Sequence, residues 1–239
     1  MGQLKRLHLG CAYKTPTGWI NMDGSWNARL AKYPVLRKIL KKLHVLPNSL
    51  IDMPWSPNIM IHDVRKPLPF QDNSMSAVYA SHLLEHLYQD EANRLLRECF
   101  RVLEPCGVLR LVVPDLQAIV LEYQGGKLIG EPTDPIHALN RADRLNRRLL
   151  MREPESKRLS LPHKLYTALT DFHSHKWMND AESLIAYVQA AGFVQVQEKE
   201  FLQSSIEEIG EVEEAERVIN GAGVCVEGIK PQAIQRRAS

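Results

Sequence analysis

Short apolar runs alternate along this chain with stretches in which apolar residues recur every third or fourth position. The short runs are typical of buried strands, and the recurring pattern is typical of helices that cover a sheet. The predicted strands cover residues 6–9, 18–22, 58–62, 75–80, 108–113, 193–201 and 222–229, and the clearest predicted helices cover residues 90–103, 116–123 and 179–191. Strands that alternate with helices in this way predict an α/β fold with a doubly wound, mostly parallel sheet.

The strongest helix and the strongest strand follow one another in the middle of the chain. The helix at 90–103 has one apolar stripe, formed by Ala92, Leu95, Leu96, Cys99, Phe100 and Leu103. The segment Pro105-Cys106-Gly107 is expected to stop it. The strand at 108–113 is almost continuously apolar, which is typical of a central parallel strand covered on both faces. Asp115 is expected to cap the helix at 116–123.

The C-terminal part of the chain predicts a further helix and an acidic segment. The helix at 179–191 is expected to begin at Asn179, with Glu182 in the capping-box position, and to end at Gly192. Six glutamates then fall between residues 207 and 216. This stretch is expected to be a partly helical surface segment.

Two longer regions, at about 24–57 and 124–176, lack a clear strand pattern. Within the first, residues 29–43 predict a short basic amphipathic helix. Its apolar positions are Leu36, Ile39, Leu40 and Leu43, and its basic positions are Arg37, Lys38, Lys41 and Lys42. We expect a surface helix with a solvated basic face; the alternative is contact with a membrane surface or an anionic substrate. The second region is expected to be a helical, lid-like insertion.

The composition indicates one ordinary globular domain spanning residues 1–239, with these two regions as insertions. The formal net charge of +2 favours no particular partner, and no nucleic acid is expected. The four cysteines show no disulfide framework and no metal-ligand spacing, so a reducing cytoplasm is the expected location. We expect neither a signal peptide nor a transmembrane segment.

Polar groups and a glycine follow four of the predicted strands. Gly10, Asp23, Asp63 and His82 each come just after a predicted strand end. In doubly wound sheets, ligands bind outside the carboxyl ends of the strands. A glycine there lets the backbone approach a ligand, and an acid can accept hydrogen bonds from a ribose diol. The pattern therefore indicates a nucleotide-type site at this edge.

Several segments together form a more specific pattern. They are Leu7-His8-Leu9-Gly10-Cys11-Ala12, Gly18-Trp19-Ile20-Asn21-Met22-Asp23, His62-Asp63-Val64, the segment 68–87 with Ser81-His82-Leu83-Leu84-Glu85-His86, Leu103-Glu104-Pro105-Cys106-Gly107 and Val112-Val113-Pro114-Asp115. With these segments the sequence resembles the class I S-adenosylmethionine-dependent methyltransferases. The likeness covers residues 4 to about 116 and resumes more weakly from His175. It is greatest to a short bacterial branch predicted to act on cell-surface glycans, and it implies a Rossmann-like sheet of seven strands.

The resemblance implies a role for each segment. Gly10, Cys11 and Ala12 would pass close to the methionine part of the cofactor, Asp23 would hold the ribose hydroxyls, Asp63 and the Val64 amide would face the adenine edge, and Ser81 and His82 would lie near the reactive methyl. Two positions depart from the family, which usually has Gly where Ala12 and Cys106 stand. A Cβ at Ala12 would crowd the cofactor if this position needs a positive φ.

Methyl transfer to a hydroxyl requires an acceptor held in line with the methyl and a base for the acceptor's proton. By position, His82 is our first candidate for that base. His86 and His175 are the other catalytic candidates, along with His173, and a structural role is an alternative for each. Glu85, between His82 and His86, is expected to orient the loop.

The segment 171–177 brings further polar and aromatic residues close together. His173 and His175 resemble metal ligands, but without a third clustered ligand no metal site is expected. In related sequences a His-x-Trp element precedes the C-terminal helix, so His175 and Trp177 are candidates to line the acceptor pocket. For Trp177 we favour packing in the core.

These observations predict an S-adenosylmethionine-dependent methyltransferase that O-methylates a sugar or glycan precursor. One alternative is a small-metabolite acceptor, and another is a non-catalytic S-adenosylmethionine-binding protein, suggested by Ala12. A nicotinamide reductase is disfavoured because the dinucleotide glycine fingerprint is incomplete. The basic residues of 141–164, in the insertion on the acceptor side, form either a solvated helix face or a contact for an anionic acceptor. Peripheral membrane contact is considered only through 29–43.

Overall fold

A seven-stranded sheet forms the centre of the computed structural model, which describes residues 5–42, 54–149, 174–219 and 222–232. Its strands are β1 (Arg6–Leu9), β2 (Trp19–Asp23), β3 (Met60–Ile61), β4 (Met75–Ser81), β5 (Leu103–Pro114), β6 (Val194–Lys199) and β7 (Gly223–Ile229). The spatial order is β3-β2-β1-β4-β5-β7-β6, and only β7 runs antiparallel to its neighbours among these strands. The predicted Rossmann-like, doubly wound and mostly parallel sheet is confirmed.

The strand boundaries differ most from the sequence prediction at β3 and β5, and β6 is shorter than expected, covering Val194–Lys199. β3 is only two residues long, although a strand was expected over 58–62. β5 begins at Leu103, so that Pro105, Cys106 and Gly107 lie inside a strand. The helix before β5 ends at Val102. It therefore stops before Pro105-Cys106-Gly107, the segment that was expected to end it. Leu103 pairs with Met75 of β4, and this pairing extends the strand toward its start.

The helices are α1 (Trp26–Ala31), α2 (Pro34–Lys42), α3 (Gln89–Val102), α4 (Leu116–Tyr123), α5 (Arg141–Arg148), α6 (Ala181–Ala190) and α7 (Ala215–Val218), with 3₁₀ turns at Leu84–His86, Pro135–Ala138 and Ile209–Glu211. The single helix expected over 29–43 is instead two helices. Pro34 separates them, because proline lacks an N–H and disfavours helical backbone in the residue before it.

Helix ends are set by polar side chains. Asp115 caps α4 as predicted, since its carboxylate accepts the Gln117 N–H. The cap of α6 was predicted one residue too early: Asp180 accepts the Ser183 N–H, and Ser183 takes the position expected for Glu182. The side chain of Ser183 in turn accepts the Asp180 N–H, so this serine completes the capping box.

One face of the sheet is covered by α3 and α6. Alternate residues of β5, Leu109 and Leu111, point into this layer, where they join the main apolar core. The layer's fully buried helix residues are Leu95, Leu96, Cys99, Val102, Leu184 and Val188. The predicted stripe of the helix before β5 is therefore the face that packs on the sheet.

The opposite face is covered by the acidic segment, which we define as residues 200–218. Its apolar residues Ile206, Ile209, Val212 and Val218 pack on Trp19, Ala77, Tyr79, Val108, Val112 and Cys225. The sequence predicted a surface segment here. In the structure its glutamates alternate with apolar side chains that fill the second core, so the segment takes the place that a covering helix would occupy.

A buried ion network fixes the acidic segment to the sheet. Arg110 of β5 is fully buried, and its Nε donates to Glu213 Oε1 at 2.7 Å. Its Nη1 donates to Glu227 Oε1 at 2.9 Å. Glu213 also accepts the Leu202 N–H at 2.6 Å. Buried charges are tolerated when they are paired and hydrogen-bonded in this way. Glu213 is therefore part of the interior rather than of the predicted acidic surface.

The two insertions are only partly described. In α2, Leu36 and Ile39 are exposed, while Leu43 lies outside the described residues. In α5, Arg148 pairs with the buried Glu122 of α4 at 3.2 Å, which ties the second insertion to the sheet domain. The basic positions from Arg152 onward are outside the described residues. In the described part of the chain, no helix has the length and apolar character needed to cross a bilayer.

Candidate functional site

The loops that follow β1, β2 and β4 meet at the carboxyl edge of the sheet. The Cys11 N–H donates to the Met22 carbonyl at 3.1 Å. The Ala12 N–H donates to the carboxylate of Asp23 at 3.0 Å. A Cβ added to Gly10 would lie 3.2 Å from Leu83 Cδ1, so the loop after β1 also touches the loop after β4.

The loop after β3 joins the same edge. The His62 N–H donates to the Asp23 carbonyl at 3.2 Å. Gly24 packs so tightly here that an added Cβ would lie 2.5 Å from the His62 carbonyl oxygen. Gly10, Asp23, Asp63 and His82 therefore share one edge, as their positions after strand ends predicted. We call this edge the rim.

Asp23 is well suited to hold a ribose. It is buried, and its two carboxylate oxygens accept N–H groups from Ala12 and from Ser25, the latter at 2.7 Å. An ionised carboxylate offers about four acceptor positions. Two remain after these contacts, which matches the two hydroxyls of a ribose diol.

The loop between β1 and β2 has left-handed backbone at Gly10, Ala12 and Gly18. Gly10 has a φ of +63°, and Ala12 has a φ of +49°. The second value is unfavourable for a residue with a Cβ. Ala12 thus has the positive φ at which its Cβ was expected to crowd a ligand.

Asp63 is engaged within its own loop. Its carboxylate accepts two hydrogen bonds from the Arg65 guanidinium, at 2.7 and 2.9 Å. The Arg65 side chain holds the pKa of Asp63 below its usual value. Val64 packs partly buried against the main core. The carboxylate that was expected to face an adenine is therefore paired with arginine.

His82 sits on strained backbone with both ring nitrogens facing protein groups. Its φ is +51°. Nε2 lies 3.2 Å from the Arg217 carbonyl oxygen, and Nδ1 lies 3.4 Å from Glu85 Oε1. Burial and the nearby Arg217 charge lower the pKa of His82 to about 4. The Arg217 guanidinium also donates to the carbonyl of the buried Ser81 at 3.2 Å.

Glu85 lies at the centre of the three candidate histidines. It is fully buried, and burial raises its pKa to about 8. Its Oε1 lies 4.0 Å from both His86 Nε2 and His175 Nε2. Burial, followed by the charges of His86 and His82, lowers the pKa of His175 to about 4. Sequence reasoning treated Glu85 only as a loop-orienting residue, although its place between two histidines was a usable signal.

His175 reaches the rim through backbone contacts. The Lys176 and Trp177 N–H groups both approach the Glu85 carbonyl oxygen, at 2.7 and 3.3 Å. The Trp177 side chain is 47% exposed, so the expected packing of this ring in the core is wrong. Tyr88 is exposed as well, and the Lys176 ammonium lies 4.9 Å from the centre of its ring. His173 lies outside the described residues.

Residues 32–111 match the methyltransferase domain family. This region includes Asp63, His82, Glu85 and His86, whereas Gly10 and Asp23 precede it. This match covers 80 of the 239 residues of the chain. No curated protein sequence matches the chain significantly.

Solved structures with a similar arrangement are distant in sequence. A chain of the Haloferax volcanii complex between the Trm112 methyltransferase activator and a methyltransferase is 13% identical, with 96% of this chain and 84% of that chain covered and a TM-score of 0.45. A SAM-dependent methyltransferase from Archaeoglobus fulgidus is 14% identical, with 96% and 87% covered and a TM-score of 0.41. The YcgJ protein of Bacillus subtilis is 12% identical, with 96% and 93% covered and a TM-score of 0.43.

Proposed function

We propose that this enzyme transfers the methyl group of S-adenosylmethionine to a hydroxyl of a sugar or glycan precursor. The observation that carries the proposal is the position of the histidine cluster. Glu85 and the three histidines around it lie beside the loop that contains Gly10. Gly10 packs against Leu83, which lies between His82 and Glu85 in the sequence. A proton-accepting group next to the cofactor loop is what transfer to oxygen requires.

In this proposal the cofactor lies along the rim. Gly10, Cys11 and Ala12 contact its methionine part, and Asp23 holds its ribose through the two acceptor positions left free by its backbone contacts. Asp63 and Val64 border the adenine, with Asp63 acting through its loop because its carboxylate is paired with Arg65. When bound, S-adenosylmethionine supplies the electrophilic methyl, and the protein supplies orientation and exclusion of water.

His82 is the base in this proposal. Its Nε2 faces the carbonyl of Arg217, which can only accept, so the ring proton belongs on Nε2. Nδ1 then carries the lone pair, and it points toward Glu85 and the cluster. An acceptor hydroxyl bound here would pass its proton to Nδ1, while His86 and His175 position it. Ser81, just before His82, lies beside the methyl group.

A sugar acceptor is favoured by the aromatic rings around the cluster. Tyr88 follows His86 by two residues, Trp177 follows His175 by two residues, and both rings are exposed. Flat aromatic surfaces next to polar groups suit a ligand with one apolar face and a rim of hydroxyls. In the described part of the insertion, by contrast, Arg144 and Arg148 are bound to carbonyl and carboxylate groups of the protein. Support for an anionic acceptor is correspondingly weaker.

The test is a transfer assay with isotope-labelled S-adenosylmethionine and a panel of sugars, sugar nucleotides and small hydroxylated metabolites. We expect a sugar acceptor. We further expect His82→Asn to lower turnover about a hundred-fold or more while cofactor affinity stays the same. Asparagine is chosen because it tolerates the left-handed backbone at this position. His137→Gln is the matched control, because the His137 ring contacts the insertion, where its Nε2 lies 2.8 Å from the Ile129 carbonyl oxygen.

The outcomes separate the candidate functions. Methylation of small metabolites alone would favour the second acceptor class. Tight binding of S-adenosylmethionine with no transfer to any acceptor would favour a non-catalytic binding protein, for which the strained Ala12 is the supporting observation. Full turnover in His82→Asn would place the base elsewhere.

A reducing cytoplasm is the proposed location. All four cysteines are free thiols, and Cys11, Cys99 and Cys225 are buried in the core. Free thiols persist in reducing compartments and are oxidised or paired elsewhere. Localisation of a fluorescent fusion of the full chain would test this.

A further inference from the structure

We infer that Glu85, His86 and His175 form a binding site for a divalent transition-metal ion. Each of the three side chains offers one donor atom, and these atoms all lie within 4.8 Å of one another. The donors come from two segments about ninety residues apart in the chain, the 3₁₀ turn Leu84–His86 and the residues around His175. No short sequence motif contains them together.

The carboxylate of Glu85 is the central argument for a cation. The residue is fully buried, and neither of its oxygens accepts a well-aligned hydrogen bond among the described residues, although His82 Nδ1 lies 3.4 Å from Oε1. Its Oε1 lies at the same distance, 4.0 Å, from His86 Nε2 and from His175 Nε2. A buried carboxyl group without hydrogen bonds is costly. A cation held between this oxygen and the two ring nitrogens would satisfy it.

One of the two histidines, His86, is held as metal-bound histidines usually are, whereas Nδ1 of His175 has no hydrogen-bond partner among the described residues. His86 Nδ1 lies 3.4 Å from the Ser174 carbonyl oxygen, which places the ring proton on Nδ1 and turns the lone pair of Nε2 toward Glu85. A metal-bound histidine is usually held by such a contact of its other nitrogen. His175 is almost fully buried, and its Nε2 faces the same carboxylate.

The backbone keeps the two segments together. The Lys176 N–H donates to the Glu85 carbonyl at 2.7 Å, and the Trp177 N–H approaches the same oxygen at 3.3 Å. Metal–ligand bonds of about 2.1 Å place neighbouring donors about 3.0–3.5 Å apart. The two pairs that involve Glu85 stand 4.0 Å apart, and all three donors lie within 4.8 Å, so binding an ion requires the side chains to approach by about 0.5–2 Å.

The ligand set also indicates the kind of ion. Two imidazoles and one carboxylate favour Zn²⁺, Fe²⁺ or Co²⁺, whereas Mg²⁺ and Ca²⁺ favour ligand sets made of oxygen. Three protein ligands leave a coordination position open. An ion held by Glu85, His86 and His175 would make a bound hydroxyl more acidic, and His82, 3.4 Å from Glu85, would be the nearby group to accept its proton. This last role rests on the proposed function; the metal site itself does not.

The experiment is a Co²⁺ titration of the full chain, expressed without a polyhistidine tag and stripped with chelator, in the absence of S-adenosylmethionine and acceptor. We expect one ion per chain and visible absorption bands of bound Co²⁺. Glu85→Gln keeps the side-chain shape but removes the charge, and it should weaken Co²⁺ binding about a hundred-fold or more. His137→Gln, away from the cluster, should bind as the unmodified protein does.

A second variant keeps the test decisive if Glu85→Gln does not fold. If Glu85→Gln is unfolded by circular dichroism, His86→Gln replaces it, because the His86 side chain is partly exposed and tolerates substitution more easily. Absence of Co²⁺ binding by the unmodified chain would overturn the assignment. So would unchanged affinity in a folded variant, or tighter binding of Mg²⁺ than of Co²⁺. Because the titration contains no methyl donor, failure of the proposed methyl transfer leaves its result unchanged.

Discussion

The carboxylate of Asp23 and the backbone N–H of Ala12 lie 3.0 Å apart, so the end of β2 directly holds the loop that follows β1. One side chain thereby sets the backbone conformation of the loop and, in the proposed function, also faces the ribose. Loop geometry and cofactor affinity are expected to change together when this carboxylate is altered.

Asp23→Ala should weaken S-adenosylmethionine binding about ten-fold or more, because ribose hydroxyls and two backbone N–H groups lose an acceptor. Isothermal titration calorimetry measures this. Asp180→Ala is a suitable control, since Asp180 also accepts a backbone N–H but caps α6. Equal affinity in the two variants would remove Asp23 from the cofactor site.

Ala12→Gly should stabilise the protein by about 0.5–1 kcal/mol, because relief of the left-handed strain exceeds the added backbone entropy of glycine. It should also raise S-adenosylmethionine affinity, since no Cβ crowds the loop. Urea unfolding and calorimetry measure the two effects. The same substitution at Ala186, exposed within α6, should instead destabilise by about 1 kcal/mol. A loss of stability in Ala12→Gly would contradict the strain argument.

Glu213→Ala should destabilise the protein by about 3–5 kcal/mol, because the buried Arg110 guanidinium loses a paired charge. Glu208→Ala, which removes an exposed partner of Arg6, should change the unfolding free energy by less than about 0.5 kcal/mol. Chemical denaturation of both variants measures the contrast. Similar values for the two would mean that the acidic segment is not anchored by its buried network.

Acid should destabilise the protein partly through His8. Burial lowers the pKa of His8 to about 3, below the ordinary value of 6.5 that applies in the unfolded chain. The unfolded state therefore binds the proton more readily, so this contribution is complete above pH 6.5 and is lost as the pH falls from 6.5 toward 3. The loss amounts to about 2 kcal/mol between pH 7 and pH 5.

His8→Leu removes this titration. We measure the unfolding free energy of the unmodified protein minus that of the variant, at pH 7 and at pH 5. This difference should be about 2 kcal/mol smaller at pH 5 than at pH 7. Other buried histidines titrate in both proteins and cancel in the difference. A difference that stays constant with pH would show that His8 does not titrate between the folded and unfolded states as described.

The sheet and the rim were predictable from sequence because they follow from local rules. Strands β1, β2, β4 and β5 are short apolar runs, and parallel strands bring their carboxyl ends to one edge. The meeting of Gly10, Asp23, Asp63 and His82 needed nothing more than this topology. The sequence did not predict which group each of these side chains would hydrogen-bond. The carboxylate of Asp63, for example, binds Arg65, two residues away in its own loop.

Long-range pairings escaped the sequence analysis. Arg110 and Glu213 are 103 positions apart, and a glutamate within an acidic run gives no sign that it will be buried. Likewise, hydrophobic periodicity predicts helices and strands but does not predict which loops meet. His175 lies in neither a helix nor a strand, and its Nε2 comes to 4.0 Å from Glu85 Oε1. For Trp177, packing in the core was favoured over a place in the acceptor pocket, yet the ring is exposed.

The contacts of Arg217 bear on the order in which the protein folds during synthesis. Its backbone carbonyl faces His82, 135 positions earlier in the chain, and its guanidinium binds the carbonyl of Ser81. A ribosome therefore releases the strands that bear the loops of the rim well before the segment that contacts His82. A nascent chain would carry the rim early, and His82 would gain its contact with Arg217 only when the last part of the polypeptide has docked.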